Sequence, residues 1–158
     1  MLIQQKIGNL KDFNNNHRSV DWLDLQWFEM NKRILTRTTR GGILMNLKFL
    51  GENPQYTEGD ILFENGETII AVSILPCEVI VIKPRNADEI ASACYEIGNR
   101  HLPLFMDDIH LLVPFEVPLF KILSDSNYIV LKENRQLLKQ LKTTVLPHLL
   151  VKNESFAP

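Results

Sequence analysis

Four histidines and two cysteines are the side chains of this 158-residue chain that are best suited to soft or borderline metal chemistry. Cys77 and Cys94 form no Cys-x-x-Cys or paired zinc pattern. Cys94 falls on the apolar stripe of a predicted helix, where a thiol packs as a small hydrophobe rather than acting as a nucleophile. His17 sits in a polar loop and reads as solvated. His101 differs: it lies in Tyr95–Leu104, where a helix gives way through Gly98-Asn99 to a strand. A side chain at such a junction is held by regular structure on both sides and is free to face outward. Taken alone, a histidine just past a helix is a surface residue or a partner of the helix dipole before it is a ligand. One imidazole also cannot hold a metal by itself.

The elements around it follow from periodicity. Residues 1–76 read as all-β. Leu2–Ile7 is a first strand, and Leu23, Leu25 and Trp27 alternate with Asp24 and Gln26. Arg33–Arg40 and Ile43–Leu50 flank Gly41-Gly42 as a hairpin, and Ile61–Glu64 and Glu67–Val72 flank Asn65-Gly66 as another. Gly59-Asp60 supplies the turn into that second hairpin. Pro76 and Cys77 mark a domain boundary.

Residues 77–132 then run strand, helix, strand, strand, helix, strand, the ferredoxin-like order, so the fold class is α+β. Glu78–Lys83 is a continuous apolar strand. Asn86 with Glu89 caps a helix whose apolar face is Ala87, Ile90, Cys94 and Ile97, with Ala91 beside them and Gly98 as its stop. Leu102–Met106 and Ile109–Val113 form a hairpin about Asp107-Asp108. Val117–Asp125 is a second helix with Val117, Phe120 and Leu123 apolar on one side, and Tyr128–Lys132 closes the domain. The tail, 133–158, has Leu137, Leu138 and Leu141 spaced for a short helix, and then His148.

Within that hairpin, Leu102, Leu104, Met106, Ile109, Leu111 and Val113 share the face toward the helices. His101, Pro103, Phe105, His110 and Leu112 share the other, which no helix covers in a ferredoxin-like domain. Either a second copy of the chain or the amino-terminal domain must cover Phe105 and Leu112. His110, expected opposite Phe105, lies about 13 Å from His101, too far to share an ion within one chain.

The run Gly98-Asn99-Arg100-His101-Leu102-Pro103-Leu104 closely resembles the Gly-Asn-Arg-His-x-Pro-Leu signature of the UreE family of urease accessory proteins. The Gly59-Asp60…Asn65-Gly66 hairpin resembles, less specifically, one in that family's amino-terminal domain. The resemblance implies a nickel chaperone: a homodimer formed through the carboxy-terminal domain and binding nickel through His101 of both subunits, with zinc or copper as competing ions. That favours a second copy of the chain on the Phe105 and Leu112 face. It also implies delivery to the urease apoprotein complex with the accessory GTPase UreG as direct partner, and an amino-terminal domain that binds a peptide or partner.

The sequence departs from the family pattern in three places. Glu96 stands where many members have histidine, Pro114, Phe115 and Glu116 occupy a region where some carry more, and the tail offers only His148. His148 is either a tail ligand or, among Leu146, Leu149 and Leu150, a packing residue. The rival function is a non-enzymatic interaction module in which His101 is structural.

Composition sets further limits. The net charge of -2 gives no electrostatic reason for nucleic acid or an anionic membrane. No nucleophile elbow, phosphate loop or zinc-protease helix is present, which speaks against an enzyme. The start carries no secretory pattern, so the expected location is cytoplasmic.

Overall fold

The structure, a computed structural model, describes residues 1–14, 17–51 and 53–141. The amino-terminal part packs two sheets face to face. One is built from β1 (Leu2–Ile3), β5 (Leu44–Lys48) and β4 (Ile34–Thr38), in the order β1-β5-β4. The other has the order β2-β6-β7-β3, with β2 at Gly8–Asn9, β6 at Asp60–Glu64, β7 at Thr68–Ile74 and β3 at Ser19–Leu25. The expected first strand, Leu2–Ile7, is strand only at Leu2–Ile3, and the chain then crosses to the other sheet, which it joins at Gly8–Asn9. The core draws Leu35, Met45 and Leu47 from the first sheet and Leu23, Leu25, Leu62, Ile70 and Val72 from the second. Alternation along β3–β5 sends these inward and their neighbours to solvent, as a half-buried strand requires.

The Gly59-Asp60 turn is structural. Gly59 has a φ of 80°, a conformation glycine adopts without a Cβ clash. Asp60 is buried, and its carboxylate accepts from Lys6 Nζ, Asn9 Nδ2, and the backbone N–H and hydroxyl of Thr57. The Asn65-Gly66 hairpin is closed by the Asn65 side chain, which accepts from the N–H groups of Glu67 (2.9 Å) and Thr68 (2.7 Å).

The carboxy-terminal part follows the expected strand and helix order. It comprises β8 (Cys77–Lys83), α1 (Ala87–Asn99), β9 (Phe105–Asp107), β10 (His110–Pro114), α2 (Val117–Asp125) and β11 (Ile129–Arg135). The sheet order β11-β8-β10-β9 is that of a ferredoxin-like fold, all neighbours antiparallel. Here β11 runs on to Arg135, three residues past the expected end at Lys132. Ile80, Ile82, Leu111 and Val113 pack on Ala93, Ile97, Leu119 and Leu123 of the helices.

Several expectations need correction. In α1 the buried residues are Ala93 and Ile97, with Cys94 half-buried, whereas Ala87 and Ala91 are exposed. In α2 Leu119 and Leu123 are buried and Val117 is exposed. Helical spacing located these faces to within about one residue, and the tilt of each helix on the sheet decided the rest. The β9–β10 turn is Asp108-Ile109, not Asp107-Asp108, so His110 pairs with Asp107, Leu111 with Met106 and Leu112 with Phe105. The pairing is displaced by two positions, an even number, so every strand residue keeps its predicted face; only Ile109 leaves the ladder, and it is exposed.

The largest correction concerns the sheet face opposite the helices. Phe105 and Leu112 are buried, at 1% and 2% exposure, in a cluster with Val79, Val81 and Leu137. Trp27 of the amino-terminal part stacks edge-on against Phe105, ring centres 5.9 Å apart. Residues 136–141 are not a helix but an extended strap along the outer edge of β9. Met106 N–H donates to Lys139 O (2.9 Å), Leu141 N–H donates to Leu104 O (2.8 Å), and Gln140 pairs with Phe105. The Gln136 amide clips the strap's start to Ile74 O (2.7 Å) and to the Glu58 carboxylate (3.2 Å). The amino-terminal part and the strap, not a second copy, therefore cover this face.

Candidate metal centre

His101 owes its position to the way α1 ends. Asn86 starts the helix by accepting from Glu89 N–H (2.9 Å), while the Glu89 carboxylate reaches back to Arg85 N–H (2.8 Å) rather than to Asn86. At the other end the helix runs through Gly98 to Asn99, with Arg100 as the cap. His101 N–H then donates to Gly98 O (2.9 Å) and Leu102 N–H to Ile97 O (3.4 Å). Those two bonds are the 5→2 and 6→1 pair of a Schellman motif. They place His101 at the residue that takes the left-handed conformation, with a φ of 56°. Glycine is the usual occupant, because a Cβ there approaches the backbone carbonyl. The stop expected at Gly98 therefore comes three residues later, on a histidine.

The strained residue is well supported. Leu102 packs into the cluster containing Ile97, the apolar contact that accompanies this motif. Arg100 lies across the last turn to the Glu96 carboxylate, at 2.5 Å and 3.1 Å, so that carboxylate is engaged in an ion pair. His101 itself is exposed. The left-handed conformation is shared by His17, Gln55, Asp108 and Asn127, so what sets His101 apart is an exposed imidazole beside a cavity.

The imidazole stands at the wall of a cavity of about 670 Å³. Cys94 and Gly98 line it from the same helix, Pro103 and Leu104 from the following segment, and Asn31, Asn53 and Gln55 from the amino-terminal part. Gln140 and Leu141 close it from the strap, so the described tail ends beside His101. Nothing lies within 4 Å of the place where a Cβ on Gly98 would sit, so the floor between Cys94 and His101 is open. Burial pushes the Cys94 thiol above its ordinary pKa, which keeps it protonated and disfavours it as a ligand.

The other sequence candidates are not gathered here. His110 is half-buried opposite Asp107, farther along the hairpin from His101 than expected, and His17 is exposed at a turn. His148 lies outside the described residues. Among the described residues no group of three His, Cys, Asp or Glu side chains can hold a metal ion. The strap and the amino-terminal amides were not found from sequence, because their contribution comes from packing between distant segments and leaves no local pattern. No helix among the described residues is long and apolar enough to cross a membrane.

Two family models match the chain: the UreE urease accessory protein N-terminal domain over residues 3–75 and its C-terminal domain over residues 77–148. The chain is 40% identical over 148 residues to the urease accessory protein UreE of Flavobacterium johnsoniae, covering 94% of this chain and 90% of that one. It is 43% identical over 129 residues to the protein of that name from Helicobacter pylori, covering 78% and 74%. With that of Acetivibrio thermocellus it shares 36% over 123 residues, covering 78% and 80%.

Proposed function

Because the chain belongs to the UreE family of urease accessory proteins, we propose that it is a nickel carrier for urease maturation. In this reading His101 is the central ligand, and the ion passes to apo-urease by way of the accessory GTPase UreG. The observation that carries the reading is an exposed imidazole held in a glycine-type backbone conformation in a chain with no complete ligand set among its described residues. In this reading the other ligands come from a second copy of the chain and from His148.

A two-fold axis beside His101 supplies that completion, because it brings the same residue from a second copy to the same point. Imidazole suits nickel as a borderline ligand, and zinc and copper as competitors. Two protein nitrogens with open positions make a site that releases its ion, as a carrier must. Burial of Phe105 and Leu112 removes the apolar face first expected to hold the dimer, so the dimer of this proposal is organised around the end of α1. The two domains of the proposal, 1–76 and 77–132, divide the work: the first meets partners, and the second, with the tail from 133, holds metal.

Ligation requires unprotonated imidazole, so nickel competes with protons and binding weakens on acidification. Calorimetric nickel titration alongside sedimentation velocity tests the proposal. The expected result is one tightly held ion per two chains, lost in His101→Ala with the dimer retained. Equal binding by that variant refutes the assignment, and a parent that stays monomeric with nickel bound refutes the paired site.

A further inference from the structure

The amino-terminal sheet β1-β5-β4 leaves β4 with an open edge. The ladder between β4 and β5 shows which groups face it. Thr39 N–H donates to Ile43 O (2.9 Å) and Phe49 N–H to Arg33 O (2.8 Å), so the odd-numbered residues bond toward β5. Antiparallel ladders alternate, so the backbone groups of Ile34, Thr36 and Thr38 point away from β5 to the open side. Arg40, the next even residue, obeys the same rule and donates its N–H to Trp22 O of β3 (2.8 Å). Of the outward acceptors, Thr36 O takes a bond from the exposed guanidinium of Arg37 (3.0 Å).

The side chains along this edge sort by face. Ile34 is 70% exposed, and Thr36 and Thr38 are exposed on the same side. Arg33 and Arg37 alternate to the other face, flanking buried Leu35. Between Asn31 and Gly51 the chain carries five cations, Lys32, Arg33, Arg37, Arg40 and Lys48, and no Asp or Glu, against a net charge of -2 for the whole. Glu29 holds Arg37 and Lys32, and Asp24 holds Arg40. Arg33 and Lys48 are exposed and carry no ion pair among the described residues.

We propose that the open edge of β4 accepts an extended acidic segment of a partner protein as a fourth strand of this sheet. Main-chain bonds to residues 34, 36 and 38 supply the affinity and alternate side chains the selectivity, as in strand addition generally. A second copy of the chain is the wrong occupant. Pairing Lys32–Arg40 with itself aligns four cations from each strand and no acid, and like charges across a ladder are destabilising. The favoured segment places a carboxylate opposite Arg33, the cation of this edge that no acid among the described residues engages. β-Branched or apolar residues then fall opposite Ile34 and Thr36, giving acidic–apolar–any–apolar. The proposal makes no use of His101, so it stands or falls separately from the metal reading.

The test uses the full-length protein, labelled with ¹⁵N, and a capped decapeptide with Asp-Val-Thr-Val-Asp at its centre. The expected result is saturable shifts centred on the amides of Ile34, Thr36 and Thr38, absent with the Lys-Val-Thr-Val-Lys peptide. Thr36→Pro removes an outward N–H without touching the β5 ladder and is expected to weaken binding roughly tenfold, the worth of about one hydrogen bond. Arg33→Glu is expected to weaken it independently, which keeps the test sound if the proline variant fails to fold. Absence of binding at millimolar peptide, shifts centred elsewhere, or unchanged affinity in both folded variants overturns the proposal.

Discussion

Replacing His101 by glycine and by alanine tests the link between the strained backbone and the metal site. At an ordinary position glycine is less stable than alanine by about 0.4–1 kcal/mol, because it frees the unfolded chain. At His101 the φ of 56° reverses the comparison. Alanine keeps the Cβ and with it the left-handed penalty of about 1–2 kcal/mol, whereas glycine has none. Subtracting the entropy cost leaves His101→Gly ahead of His101→Ala by about 0.5–1 kcal/mol, or roughly 1–4 °C in melting temperature for a chain of this size. Both variants are expected to lose tight nickel binding, so the gain in stability from alanine to glycine brings no return of the site. Thermal and urea unfolding in chelated buffer measure the stability difference, and nickel titration measures the site. A glycine variant less stable than the alanine one shows that the Schellman assignment is wrong. A glycine variant that binds nickel like the parent shows that the strain serves no metal.

The remaining predictions probe the strap and the core. Leu137 is fully buried on Phe105 and Leu112, so Leu137→Ala is expected to cost about 2–5 kcal/mol in urea unfolding; a loss under about 0.5 kcal/mol means that the strap is not part of the folded core. The Tyr56 hydroxyl is buried without a hydrogen-bond partner among the described residues, and burial holds the phenol well above its ordinary pKa and hence neutral. Tyr56→Phe is therefore expected to be neutral or to stabilise by up to about 1 kcal/mol, and a loss of more than about 1 kcal/mol would reveal a partner. Deleting 142–158, which removes His148 and leaves the strap, is expected to weaken nickel binding without abolishing it. His148→Ala should reproduce that effect, and unchanged calorimetry in both assigns the whole protein-derived site to His101.

How much was legible in the sequence depended on the range of the interaction concerned. The strand and helix order of the carboxy-terminal part could be read because β8, α1, β10 and α2 each carry their own apolar pattern. The β9–β10 turn was misplaced by one residue because Asp107 and Asp108 are chemically equivalent turn formers. Only Asp108, at a φ of 55°, takes the left-handed place. The helix stop was assigned to Gly98 by the rule that glycine ends helices. What ends α1 is the pairing of Ile97 with Leu102 across the cap, and it drives a histidine into the glycine conformation. The fate of Phe105 and Leu112 was illegible for a different reason. Trp27 and Leu137 lie far from them in sequence, and the leucines of 137–141 fit a helix as well as a strap.

The strap gives the tail a geometric consequence. Its last described residue, Leu141, donates to Leu104 O and lines the His101 cavity, which taken as a sphere is roughly 11 Å across. Six residues lie between Leu141 and His148, seven steps with a contour of at most about 25 Å. For the proposed site, that contour is long enough for His148 to reach any wall of the cavity. In that proposal a ligand following Leu141 could leave the ion with the strap intact, because the anchoring bonds at Met106 and Leu104 lie upstream of it. A rigid four-ligand cage holds its ion too firmly for transfer. The proposed site, with His101 at the helix end, its counterpart across a two-fold axis and His148 as a further donor, would combine capture with release. In that scheme the strain at His101 fixes where the ion sits, and the tail sets how long it stays.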